Sequence, residues 1–163
     1  MIGDILTRHD SNKDRDHQYG RVYDELLAGR TVKRLVEFGI ATGGSLRAWA
    51  ELFPDAEIIG VDIERRQHVN EGRIHSLWAN QGDLPTLAAV AKEIGSVDVV
   101  IDDGSHEPHH QFATYLHLWP NVTQLYIVED CPRFAVAMEP MFRVYDNSVP
   151  TNRHESVIAV RAK

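Results

Sequence analysis

Two acidic pairs define the chemistry available to this sequence. Ile101-Asp102-Asp103-Gly104-Ser105-His106 and Val128-Glu129-Asp130 each set two carboxylates directly after an apolar, β-branched run. Unpaired charge beside such low-dielectric surroundings is costly, so these groups need a cation, a metal ion or several N–H donors. If the two runs are neighbouring strands, Asp103, Glu129 and Asp130 converge. An all-oxygen cluster with room for water is a Mg²⁺-type site rather than a zinc site. Capping of the next helix is the plain alternative, because Asp and Ser are common there. His106 follows Asp103 by three residues, a spacing that aims an imidazole at the same place. A base of near-neutral pKa is what removal of a hydroxyl proton requires. His109 and His110 read as helix-surface residues.

A second set of residues suits a nucleoside-bearing ligand. The turn Glu37-Phe38-Gly39-Ile40-Ala41-Thr42-Gly43-Gly44-Ser45 lets the backbone pass close to a ligand and start a helix. It is neither a dinucleotide fingerprint nor a Walker A loop, which would need Gly-Lys-Ser/Thr. A turn without a phosphate-gripping lysine suits a ligand made of an amino acid and a nucleoside; a tight turn with no ligand is equally compatible. Asp62, at the end of Gly60-Val61-Asp62, can accept hydrogen bonds from ribose hydroxyls. The amides of Asn80 and Gln81 could read an adenine edge, although both residue types are common in any loop.

These groups require elements that hold them at one edge. The spacing predicts a helix over 18–29, closed by Gly29. Strands follow over Arg34–Phe38, Glu57–Val61, Arg73–Trp78, Val97–Ile101 and Gln124–Val128. Between them lie helices over Leu46–Phe53, Leu84–Ile94 (entered at Asp83) and Glu107–Trp119, the last capped by Ser105 with Pro108 in its first turn. Two late strands, Phe142–Asp146 and Ser156–Arg161, are joined by a polar loop around Pro150. Residues 1–17 are polar and show no clear period. Alternation of strands and helices predicts an α/β fold: a Rossmann-like three-layer sandwich with a mostly parallel, seven-stranded sheet and an antiparallel C-terminal strand. In such sheets ligands sit at the carboxyl ends of the strands.

The bulk numbers bound the rest. The 163 residues suit one domain, with 1–30 as a covering segment over the substrate and cofactor and 31–163 as the core. A net charge of −7 without a basic cluster counts against a nucleic-acid partner. Cys131 is the single cysteine, which excludes an internal disulfide, a CxxC pair and a Cys-rich zinc site. The start is neither basic nor followed by an apolar stretch, and no run is long enough to span a bilayer, so the expectation is a cytoplasmic protein with no membrane association. A homo-oligomer that completes the pocket with a neighbouring subunit is compatible with the sequence.

The motifs together resemble a family. Glu37–Ser45, Gly60–Asp62, Ile101–His106 and Val128–Asp130 are similar to the metal-dependent sugar O-methyltransferases of macrolide biosynthesis, the macrocin and mycinamicin type, and to the cephalosporin hydroxylase-like group. Ser11-Asn12-Lys13 with His17, Tyr19 and Tyr23 resembles that family's N-terminal Asp-Lys…His-x-Tyr segment, and Arg143–Asp146 through Ser156–Val160 resembles its ending. The resemblance implies Mg²⁺ on Asp103, Glu129 and Asp130, His106 as general base, Glu37, Gly39 and Ser45 along the methionine part of S-adenosylmethionine, and Asp62 on its ribose. Thr42, Gly43, Asn80, Gln81 and Asp102 complete the candidate cofactor-binding set. A substrate hydroxyl would bind the metal, lose its proton to His106 and attack the methyl group in line. Two departures stand out: Asn12 where the family tends to carry Asp, and a short stretch, Cys131–Glu139, after the second acidic pair.

The expected function is therefore Mg²⁺- and S-adenosylmethionine-dependent O-methyl transfer to a hydroxyl of a small molecule, such as a sugar of a natural product. The alternatives are a non-catalytic S-adenosylmethionine-binding module and a nucleic-acid methyltransferase, the latter disfavoured by the charge.

Overall fold

A computed structural model describes residues 1–138, 141–147 and 156–163. The chain opens with three short helices, α1 (Ile2–Arg8), α2 (Asn12–Arg15) and α3 (Gly20–Leu27). Then β1 (Arg34–Phe38), α4 (Gly44–Leu52), β2 (Glu57–Asp62), β3 (Ile74–Trp78), α5 (Leu84–Ile94), β4 (Val97–Asp102), α6 (Pro108–Leu118) and β5 (Val122–Val128) alternate. The chain ends with α7 (Pro132–Met138), β6 (Arg143–Asp146) and β7 (Val157–Ala162). The expected loop around Pro150 lies outside the described residues.

One seven-stranded sheet has the order β3-β2-β1-β4-β5-β7-β6. The first five strands are parallel, and β7 runs antiparallel to both β5 and β6. This is the expected mostly parallel Rossmann-like sheet. Both faces are covered, as its nearly continuous apolar strands require. Leu35, Ile58, Val99 and Leu125 pack on one face with α1, α3 and α4. Val36, Ile59, Val100 and Tyr126 pack on the other with α5, α6 and α7.

The register is what matters for function. Phe38 pairs with Val61 on one side and Asp102 on the other, and Asp102 pairs with Val128. The chemical residues that follow these positions therefore emerge along one edge, at the topological switch between β1 and β4.

Three local readings differ from the sequence expectation, the first being α7, a helix over Pro132–Met138 that the spacing does not predict. Residues 1–17 contain two helices rather than aperiodic chain. The buried side of α1 is Ile2, Gly3 and Leu6, and a glycine in a seven-residue stripe hides the period. Ser105 does not cap α6: Glu107 occupies that position without a side-chain bond, and the Ser105 hydroxyl lies 2.9 Å from His110 Nδ1. Among the described residues no helix is long and apolar enough to cross a membrane.

At the opposite edge Asp98 ties β4 to its neighbours. It accepts the backbone N–H groups of Lys33 (2.7 Å) and Arg34 (3.1 Å) and the Thr123 hydroxyl (2.7 Å). Burial pushes its carboxyl up, but these donors outweigh burial and hold it below the usual carboxylate range. A carboxyl lowered in the folded state stabilises above the unfolded value of about 4, and that contribution disappears as pH falls through the folded value. Asp98→Ala is expected to cost about 1–2 kcal/mol near neutral pH, with the deficit vanishing in strong acid, as read from urea midpoints across pH.

Candidate active site

A cavity of about 760 Å³ opens at the carboxyl ends of β1, β2, β3, β4 and β5. That volume suits a cofactor-sized ligand. On the β1 side, Gly39, Thr42 and Ser45 line it. Gly39 has φ +90°, and a Cβ there would stand 2.1 Å from the backbone carbonyl of Asp103. Glycine is thus required where the ends of β1 and β4 touch. Gly43, with φ +77°, caps α4 and does not line the cavity.

Asp62 lines the cavity, and each of its oxygens takes a backbone N–H: Oδ2 from Ile40 (2.8 Å) and Oδ1 from Glu64 (2.7 Å). Both oxygens keep a further lone pair for a ligand's hydroxyls. Asn80 and Gln81 also line the cavity. The Gln81 amide, however, is committed. Its Nε2 donates to Asp102 (2.8 Å) and Thr114 (2.9 Å), and its Oε1 accepts the Ser105 N–H (2.9 Å). Gln81 is a bracket between β3, β4 and α6 rather than a free reader of a base.

Two expected ligand contacts lie beneath the cavity rather than in it. Asp102 is fully buried on the α6 side of the sheet, where burial pushes its carboxyl up to about 7. Glu37 is fully buried on the α4 side and accepts from Ser45 (2.9 Å) and Trp49 Nε1 (2.6 Å). Neither lines the cavity, because the alternation of each strand turns the side chain into a covered face.

The acidic edge contains a feature that strand-end reasoning missed. Lys13, from α2, is buried with its ammonium among three carboxylates. Nζ lies 2.5 Å from Asp103, 2.9 Å from Glu129 and 3.1 Å from Glu37. Burial lowers the affinity of Lys13 for its proton, but Asp103, Glu129 and Glu37 outweigh it and keep the ammonium charged. One cation facing three carboxylates leaves excess negative charge. Burial, reinforced by neighbouring carboxylates and opposed by Lys13, pushes both Glu37 and Glu129 upward. Tyr23 also donates to Glu129. Glu129 is thus turned to Lys13 and Tyr23.

Asp103, His106 and Asp130 face each other instead, with one potential ligand atom from each lying within 4.8 Å of the others. Asp130 accepts from Tyr19 (2.5 Å) and is 3.2 Å from His17 Nδ1. Its hydrogen bond with Asp130 raises the His17 pKa despite burial; burial in turn pushes Asp130 up, but His17 and Tyr19 hold it below the usual range. His110, expected on the helix surface, lines the cavity as well. Backbone strain concentrates here: four of the five described non-glycine residues with positive φ, Asp10, Ala41, His106 and Asp130, line the cavity. Such conformations persist where surrounding structure dictates them, characteristically at functional sites.

The donor set fits a divalent cation. Two carboxylates and an imidazole converge there, and an oxygen-seeking ion such as Mg²⁺ suits the two carboxylates best. Glu129, like Asp103, is paired with Lys13, and it also accepts from Tyr23. The signal that could have found Lys13 was the N-terminal Ser11-Asn12-Lys13…His17-x-Tyr19 pattern, which supplies Lys13, His17 and Tyr19 to this wall. Lys13→Met leaves the buried Glu37 and Glu129 and the partly buried Asp103 without their shared cation and is expected to lower the unfolding free energy by about 3–5 kcal/mol in a urea titration.

No protein-family model matches the chain. A curated relative from Streptomyces olivaceus, 8-demethyl-8-alpha-L-rhamnosyl tetracenomycin-C 2'-O-methyltransferase, is 34% identical over 164 residues, covering 93% of this chain and 42% of the relative. Mycinamicin VI 2''-O-methyltransferase from Micromonospora griseorubida is 39% identical over 106 residues, covering 60% of this chain and 27% of the relative. The structure of the MycE methyltransferase in complex with Mg, SAH and mycinamycin VI superposes with a TM-score of 0.72 at 33% identity, over 79% of this chain and 36% of that one. A putative caffeoyl-CoA O-methyltransferase from Staphylococcus aureus shares the fold at 13% identity, with a TM-score of 0.62. The chain spans about two fifths of the length of the first two curated relatives it matches. It carries a Rossmann-like methyltransferase fold, and its curated homologues are the S-adenosylmethionine-dependent sugar O-methyltransferases of natural-product pathways.

Proposed function

We propose that this chain catalyses O-methyl transfer from S-adenosylmethionine to a hydroxyl of a sugar carried by a natural product, with the help of a divalent cation, as a cytoplasmic enzyme. The observation that carries the proposal is the placement of Asp103, His106 and Asp130 on one wall of a cavity whose other walls are the Gly39–Ser45 turn and Asp62. Relatives named for methylating rhamnosyl and macrolide hydroxyls support the acceptor class.

In this reading Asp62 accepts the ribose hydroxyls, and the Gly39–Ser45 turn lets the backbone run along the methionine part. The donor supplies an activated methyl group on a sulfonium, and a divalent cation supplies charge that acidifies a nearby hydroxyl. Asp103 and Asp130 hold that cation, since carboxylates suit it better than an imidazole. This leaves His106 to take the hydroxyl proton. Lys13 fixes the Asp103 and Glu129 carboxylates, and His17 and Tyr19 fix Asp130, so the wall is organised before a ligand arrives. Much of the rate gain then comes from alignment of acceptor and methyl donor.

Transfer of labelled methyl from S-adenosylmethionine to an aryl α-L-rhamnoside tests the reading. EDTA should abolish turnover, and added Mg²⁺ should restore it. His106→Ala should lower kcat by about 10²–10⁴-fold while leaving the affinity for S-adenosylhomocysteine unchanged. Full turnover of Asp103→Ala in EDTA would contradict the role of the cation.

A further inference from the structure

The two amides expected at an adenine edge are largely spoken for. Gln81 is committed to Asp102, Thr114 and Ser105, and Asn80 Oδ1 accepts the Gly82 N–H at 2.9 Å. Only the Asn80 amide nitrogen is left. His110 stands at the same place. A Cβ built on Gly82 would lie 2.8 Å from His110 Nε2 and 3.3 Å from Asn80 Oδ1, so a glycine after Gln81 is what admits the imidazole. The ring belongs to α6 and lines the large cavity. Its Nδ1 is 2.9 Å from the Ser105 hydroxyl, whose oxygen accepts the Glu107 N–H at 3.4 Å. That hydroxyl has no other acceptor among the described residues, so its proton goes to Nδ1. Burial, and then the neighbouring His109, hold the His110 pKa below the usual histidine value. The ring is therefore neutral and carries its own proton on Nε2. Among the described residues Nε2 has no partner. It is not sealed from solvent either, since Gln111 Oε1 is the one buried side-chain atom there without a partner.

Strand order decides which part of a ligand arrives there. With the ribose held at Asp62 after β2, the sulfonium end runs past the β1 turn toward Asp103 and His106 after β4. The base then extends the other way, over the end of β3. Asp62 pairs with Trp78, so Ile63 and Ala79 are the next residues on those two strands, and both line the cavity as apolar surface for a flat ring. Beyond them stand the Asn80 amide nitrogen and His110 Nε2–H, and both are donors. Donors suit ring nitrogens that carry no hydrogen, as N1, N3 and N7 of adenine do. We propose that His110 is a specificity-determining residue whose Nε2–H donates to a ring nitrogen of the adenine. Ser105 sets its tautomer and Gly82 makes room for it. The proposal rests on the methyl-transfer reading for the identity of the nucleoside and for the direction in which it lies.

The test is calorimetric titration of the full chain with S-adenosylhomocysteine and with its three deaza analogues, in which N1, N3 or N7 of the purine is replaced by C–H. Wild type, His110→Leu and His110→Gln are compared, with thermal unfolding as the check that each variant folds. His110→Leu should weaken S-adenosylhomocysteine binding about fivefold, the worth of one net hydrogen bond. His110→Gln, whose amide nitrogen can take the place of Nε2, should bind within about twofold of wild type. One deaza analogue, the one lacking the nitrogen that meets His110, should bind wild type and His110→Leu equally, and the other two should keep the difference. Equal S-adenosylhomocysteine affinity of wild type and His110→Leu overturns the role of His110 and leaves the methyl-transfer reading standing. So does a His110→Leu deficit that no deaza analogue removes, because a merely structural role would weaken all four ligands alike. Failure of wild type to bind S-adenosylhomocysteine at all would refute the methyl-transfer reading, and the base contact with it.

Discussion

The structure of the site depends on one buried ammonium. Lys13 joins carboxylates from the ends of β1, β4 and β5, and it comes from an N-terminal segment that has no strand in the sheet. Those strands are adjacent or next-adjacent, so their terminal acids are driven together by sheet register alone. Without a cation the assembly would be a cluster of buried like charges. The lysine turns a liability of the fold into a brace and anchors α2 over the strand ends. Asp103 of this cluster and Asp130 beside it line the adjoining wall, where a divalent cation would meet two carboxylates.

Around that brace the backbone is held in conformations it would not adopt freely. Gly39 exists where the carbonyl of Asp103 leaves no room for a side chain, and Ala41, His106 and Asp130 are all left-handed at the cavity wall. The supporting hydrogen bonds are buried and mutual: Gln81 joins Asp102, Thr114 and Ser105, while Trp49 and Ser45 hold Glu37. Residues expected to touch a ligand thus divide into two layers. Asp62, Ser45, Asp103, His106 and Asp130 face the cavity, and Glu37 and Asp102 stiffen it from below. Such preorganisation is what in-line transfer between two bound groups requires.

The core fold was legible in the sequence because its signals are local. Leu84–Ile94 and Arg34–Phe38 match the expected bounds, the former entered at Asp83 with a proline in its first turn and ended by Gly95, the latter a short apolar-rich run. The strand-end acids were legible because charge after an apolar run demands an explanation. What sequence alone did not assign is non-local. The contact from Lys13 to Glu129 spans 116 residues, and no periodicity in a four-residue helix announces it. The side-chain directions of Glu37 and Asp102 depend on which face each strand presents to which helix, and the commitment of Gln81 depends on Thr114, far along the chain. Ser105 stands before a helix as a cap would, but its hydroxyl lies beside His110 instead.

The most direct test is a crystal structure of the protein grown with S-adenosylhomocysteine and Mg²⁺. The account predicts the nucleoside in the large cavity with its ribose hydroxyls on Asp62, and one ion held by the carboxylates of Asp103 and Asp130 next to His106. A nucleoside bound away from Asp62, or strand-end carboxylates that bind no ion at saturating Mg²⁺, would contradict it.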